Sequence, residues 1–120
     1  MLNFGARAAA VALLATAAMA AHAQNYVPID LSDLKVDIKQ MQGKRVAVKA
    51  QIQTMGEFSM LKSDPVDMTP VWASADALPR EDRKKLANGC QMLLCSGTFY
   101  GLVKNGPMGP TVNLDKVDWR

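Results

Sequence analysis

Two thiols and a single imidazole are the side chains whose chemistry stands out. Cys90 and Cys95 are the chain's two cysteines, and His22 is its one histidine. A redox-active thiol pair usually has two residues between its cysteines, whereas four stand between Cys90 and Cys95. A structural bridge and a pair of buried free thiols are the other readings, and the compartment decides between them.

The N-terminal residues speak to the compartment. Arg7 is the only charge before Gln24, Ala8 to Ala20 is almost unbroken Ala, Val, Leu and Met, and the run ends in Ala21-His22-Ala23. This reads as a secretory signal peptide over residues 1–23, because its apolar run falls short of the roughly 20 residues that span a bilayer and small residues follow it. Cleavage after Ala23 places the mature chain in the periplasm or outside the cell. There an even cysteine count favours a Cys90–Cys95 disulfide. An extended strand would hold the pair too far apart, so the bridge requires a turn or bulge between Gln91 and Leu94.

His22 leaves with the signal peptide. The mature chain then lacks the base of a Ser-His-Asp or Cys-His mechanism and the usual ligand of a zinc site, so the expectation is a protein that is not an enzyme and carries no cofactor. Charge excludes another class. The full chain carries 14 basic and 11 acidic residues, and losing Arg7 leaves 13 − 11 = +2, a mixed surface rather than a polyanion-binding one.

The remaining polar groups mostly suggest structural roles. Arg80, Arg83, Lys84 and Lys85 are interleaved with Glu81 and Asp82, as on a solvated helix face. Asp30, Asp33 and Asp37, and the pair Asp64 and Asp67 around Pro65, suit capping and turns. Met41, Met55, Met60, Met68, Met92 and Met108 read as gap-filling core; Met55, Met60 and Trp72 around a soft metal such as copper is a remote alternative without a histidine to complete it. Lys104-Asn105-Gly106-Pro107-Met108-Gly109-Pro110 is the most distinctive loop.

Elements that would position these groups follow from hydrophobic period. Residues 24–42 are a lead-in with a short helical turn, stopped at Gly43. Val46, Val48, Ala50 and Ile52 alternate with polar neighbours and predict a half-buried strand over Lys44 to Gln53. Thr54-Met55-Gly56 turns into a second strand, Glu57 to Lys62, and Thr69 to Ser74 gives a short third. A helix is expected from Pro79 to Asn88, with Gly89 as its left-handed cap. Gln91 to Val103 is a fourth strand, bent or bulged at Gly97 and Gly101, and Thr111 to Trp119 is a fifth.

Five strands with a helix between the third and fourth is the order of the OB-fold, a mainly β Greek-key barrel. Gly43-Lys44-Arg45-Val46-Ala47-Val48-Lys49-Ala50 resembles the first strand of OB domains in the nucleic-acid-binding, tRNA-anticodon-like superfamily, and Cys95-Ser96-Gly97-Thr98-Phe99 resembles their fourth. The chain is similar to small exported bacterial OB-fold proteins, with the domain over residues 43–120. The resemblance implies a ligand surface on the first three strands, which makes Lys44, Arg45 and Lys49 the candidate charges and Phe58, Trp72 and Tyr100 the candidate stacking rings. The expectation is a periplasmic binding or accessory module for an oligomeric ligand or protein partner. Nucleic acid is disfavoured by the charge and the compartment. The alternative is a structural component of a cell-envelope complex.

Overall fold

Alternation sets the longest element. The computed structural model describes residues 25–120, so the signal peptide and its cleavage site lie outside the described residues. The first strand, β1, is Val27–Pro28, followed by helix α1, Leu31–Asp37. Then come β2, Arg45–Met55; β3, Phe58–Lys62; β4, Val71–Ser74; helix α2, Arg80–Gly89; β5, Cys95–Gly106; and β6, Gly109–Trp119. In β2 every second side chain from Val46 to Thr54 is buried, as a strand with one face on a core requires.

The fold is mainly β, with six strands and two helices instead of the expected five and one. Lead-in residues supply the additions, because they have apolar side chains to bury and a strand edge to pair with. β1 lies parallel to the start of β2, and α1 buries Leu31 and Leu34 in the core. The sheet order is β1-β2-β3-β4-β6-β5, and β2 also pairs with β5 along Arg45 to Ile52. β2, β3, β4, β6 and β5 therefore follow one another in a cycle of paired strands, with β4 and β6 parallel and the other neighbours antiparallel. Val46, Val48, Ile52, Leu61, Phe99, Val103, Val112 and Leu114 are fully buried inside it.

Bends and turns follow local chemistry. A register shift sits between Tyr100 and Gly101, where a Cβ on Gly101 would stand 2.9 Å from Leu114 Cα. Gly56, at φ 63°, turns β2 into β3. The long loop expected after Asn105 is shorter, because β5 continues to Gly106 and β6 resumes at Gly109. Pro107 and Met108 alone connect them, and Gly109 takes the positive φ. α2 also departs from expectation at its end. It continues through Gly89, which keeps a negative φ, and Cys90 caps it with its N–H on the Leu86 carbonyl.

Cys90 and Cys95 form the disulfide, with Cα atoms 5.5 Å apart across bent residues. Closing so short a loop stabilises by about 2 kcal/mol. Its effect is local: Thr54 N–H donates to the Cys90 carbonyl at 2.8 Å, and Gln53 Nε2 donates to the Gln91 carbonyl at 2.8 Å. The end of β2 is thereby fastened to the end of α2.

Candidate functional site

Register decides which side chains share a face. Met60 lies opposite Trp72, and Met55 opposite Phe58, so these four project from the outer side of β3, β4 and the β2–β3 turn. Phe58 and Trp72 meet edge to face, ring centroids 6.2 Å apart at 69°. Across from them the β5–β6 turn brings Pro107 and Met108. Between the two hairpin tips and α2 lies a cleft of about 580 Å³, whose lining includes Thr54, Glu57, Phe58, Ser59, Trp72, Asp76, Arg83, Leu86 and Met108.

The cleft has an apolar wall and a small polar floor. Ser59 and Thr54 are buried with their hydroxyl oxygens 3.1 Å apart. Glu57, Asp76 and Arg83 are exposed charges at the rim. Arg83 Nε donates to the Leu78 carbonyl at 3.1 Å, which ties that guanidinium to the start of α2.

A second groove, of about 660 Å³, lies along β2 and β5 beside the lead-in, with Tyr26, Asp30, Asp33, Lys49, Thr98 and Tyr100 in its lining. Its two tyrosines are already engaged. Tyr26 Oη donates to Asp115 at 2.6 Å, Arg45 stands 3.6 Å from the same carboxylate, and Tyr100 Oη donates to Asp118 at 2.9 Å. The two tyrosine rings meet edge to face at 5.2 Å, and the Lys116 ammonium lies 4.8 Å over Tyr100. Burial first and the Asp115 bond second push the Tyr26 hydroxyl above its usual pKa. For Tyr100 the order is reversed, with the Asp118 bond ahead of burial.

The six candidate ligand residues are therefore divided. Phe58 and Trp72 line the cleft; Lys49 and Tyr100 line the second groove, with Arg45 in the network behind it. Lys44 is exposed and lines neither, its backbone bonded to Met41 and Val103. The three aromatic residues do not share one surface, because Phe58 and Trp72 belong to the β3–β4 side and Tyr100 to the β5 side. Sequence reading missed Glu57, Ser59 and Asp76 in the cleft. The signal for Ser59 was a hydroxyl at an inward position of β3, opposite Thr54 in register.

Two other sets of residues have definite places. Met60 is buried and Met55 exposed, and among the described residues no group of three or more His, Cys, Asp and Glu is positioned to hold a metal. Asp67 accepts from Lys35 Nζ at 2.6 Å, and from the backbone N–H groups of Ser63 and Thr69 at 2.9 and 3.0 Å. Burial alone would raise its pKa, but the Lys35 ammonium and the Ser63 and Thr69 donors outweigh it and hold the carboxyl well below the usual range. Asp30, by contrast, occupies the N-cap position of α1 without a side-chain capping bond.

No protein-family model and no curated protein matches this chain. Solved structures do resemble it. One is asparaginyl-tRNA synthetase from Pyrococcus horikoshii, at a TM-score of 0.51 and 18% identity, over 76% of this chain and 22% of that one. Another is an OBody bound to hen egg-white lysozyme, at a TM-score of 0.50 and 15% identity, over 71% of this chain and 89% of that one. The chain thus spans about a fifth of the synthetase. At these identities the likeness shows an OB-like fold and nothing further.

Proposed function

We propose that this protein is a non-enzymatic binding module of the periplasm or the secreted space. We read its five cyclically paired strands as a Greek-key OB barrel, with α2 between the third and fourth barrel strands. The observation that carries the proposal is the cleft between the hairpin tips. Phe58 and Met108 stay 44% and 51% exposed beside Trp72, and such aromatic and thioether surface, gathered in a concavity, favours an occupant over water. In OB domains the second and third strands and the two hairpin loops are the parts that grip oligomeric ligands. The OBody that holds lysozyme supports a protein as the occupant of such a fold.

The compartment assignment draws on the leader-like residues 1–23 and on the Cys90–Cys95 bridge, which an oxidising space preserves. Among the described residues no helix is long and apolar enough to cross a membrane. The absence of an enzymatic role draws on the position of the sole histidine, ahead of residue 24. A second reading is a component of an envelope assembly. It draws on Met92 and Leu93, 93% and 73% exposed in the disulfide loop, and a particle size that grew with concentration would favour it.

The test is NMR mapping with small aromatic amides as probes. The expected result is shifts concentrated at Thr54, Ser59, Trp72 and Met108. Shifts concentrated at Lys49, Thr98 and Tyr100, or none at either place, would overturn the cleft as the binding site.

A further inference from the structure

The charge of the cleft runs against the charge of the molecule. The chain carries a net +3, yet the ionisable groups lining the cleft are two carboxylates, Glu57 and Asp76, against one guanidinium. That guanidinium, on Arg83, is held by the Leu78 carbonyl. The lining thus carries one net negative charge, which disfavours a polyanion and favours a cation that the rings can orient.

Ring geometry narrows the occupant further. Phe58 and Trp72 stand at 69° to each other, so together they form a corner instead of a flat platform. A run of bases stacked on one another finds no continuous platform in such a corner. A corner suits the stem and head of an arginine or lysine, with methylenes on one ring and charge over the other. Met55 and Met108 flank it at 58% and 51% exposure, and flexible thioethers repack around varied apolar side chains. Phe, Trp, Met and Arg together are the residue types enriched where proteins meet proteins.

The floor supplies a hydrogen bond of the right kind. Two hydroxyls carry two protons, and the Thr54–Ser59 contact uses one. The second proton has no acceptor among the described residues. At a site where Ser59 is 2% exposed, that proton seeks an acceptor brought by the occupant, and a peptide carbonyl provides one.

From these three features we infer that the cleft takes a basic segment of a partner protein, one that presents an arginine or lysine beside an apolar side chain. The inference rests on the binding reading given above and goes beyond it in the chemistry of the ligand. Carboxylates attract the basic head, the aromatic corner and Met108 hold the apolar parts, and the floor hydroxyl bonds the backbone.

The test titrates the protein with three probes, reading the NMR signals of Thr54, Ser59 and the Trp72 indole. The probes are a short peptide of alternating leucine and arginine, the same peptide with glutamate for arginine, and an oligothymidylate. Expected is binding of the arginine peptide at those signals, at least about tenfold tighter than its glutamate twin. The double substitution Glu57→Gln, Asp76→Asn is expected to reduce arginine-peptide affinity by about tenfold. Both positions are exposed, so the fold is retained, and an unchanged amide spectrum away from the cleft verifies it. Equal or tighter binding of the glutamate peptide or the oligothymidylate at the same signals overturns the inference and leaves the cleft as a binding site. Silence to all three overturns the inference alone if the aromatic amides still shift the cleft, and overturns both readings if they do not.

Discussion

The cleft and the tyrosine wall are built from similar residue types and end in opposite conditions. Around the second groove the wall carries Tyr26 from the lead-in, Arg45, Tyr100 and Lys116, and each meets a partner: Asp115, Asp118 or a ring face. In the cleft, Phe58 and Trp72 meet each other, and among the described residues the Trp72 indole N–H has no hydrogen-bond partner. A ring beside a cation is thus no sign of a ligand surface by itself. Internal neighbours decide whether the group remains free to bind something else.

The difference can be broken most severely at the wall's backbone. Gly101→Ala places a Cβ 2.8 Å from the Asn113 carbonyl carbon and 2.9 Å from Leu114 Cα, both backbone atoms of β6 that cannot yield cheaply. A loss of about 3 kcal/mol in denaturant melts is expected. A variant as stable as the parent would show that the β5–β6 ladder is not the rigid half of the molecule.

Next comes the bond between α1 and the β3–β4 connection. Asp67→Asn removes the charge that Lys35, Ser63 and Thr69 surround, and should cost about 2 kcal/mol near neutral pH. Its pH dependence has a definite sign. Because the folded carboxyl titrates below its ordinary value of 3.8, its contribution is complete above that value and is lost as the pH falls toward the folded pKa. The asparagine variant should lose that acid slope, which thermal melts across the acid range would read. A slope equal to the parent's would place the acid sensitivity elsewhere.

Tyr26→Phe sharpens the comparison with a smaller effect. It removes the bond to Asp115 and should cost about 1 kcal/mol, with probe shifts at Thr54, Ser59 and Trp72 unchanged. Any weakening of those shifts would couple the wall to the cleft.

Legibility in the sequence followed how local the cause was. The alternation in β2 marked a half-buried strand, and of the two glycines expected to bend β5, Gly101 stands at its register shift while Gly97 pairs in regular register. Even cysteines behind a leader-like segment pointed to the bridge now seen between Cys90 and Cys95. The lead-in was harder. Leu31, Leu34 and Ile38 fit a helix while residues 34–38 also alternate, and only the burial of Leu31 and Leu34 in the core explains why α1 forms there. The candidate site was half legible. Phe58 and Trp72 were named from their strands, but their separation from Tyr100 depends on β2 pairing with both β3 and β5, a long-range fact that no local pattern carries. Asp67 looked like a turn residue. Its bond to Lys35, far away in the chain, left no mark that spacing would reveal.

The most direct test of the central claim compares Trp72→Ala with Tyr100→Phe in the aromatic-amide titration, with thermal melts alongside. If the cleft is the binding site, Trp72→Ala abolishes the shifts at Ser59 and Met108 in a protein that stays folded, at a cost of about 1–2 kcal/mol for the half-buried ring and its contact with Phe58. Tyr100→Phe should cost about 1 kcal/mol and leave the shifts intact. Full shifts in Trp72→Ala, or their loss in Tyr100→Phe alone, would contradict the account.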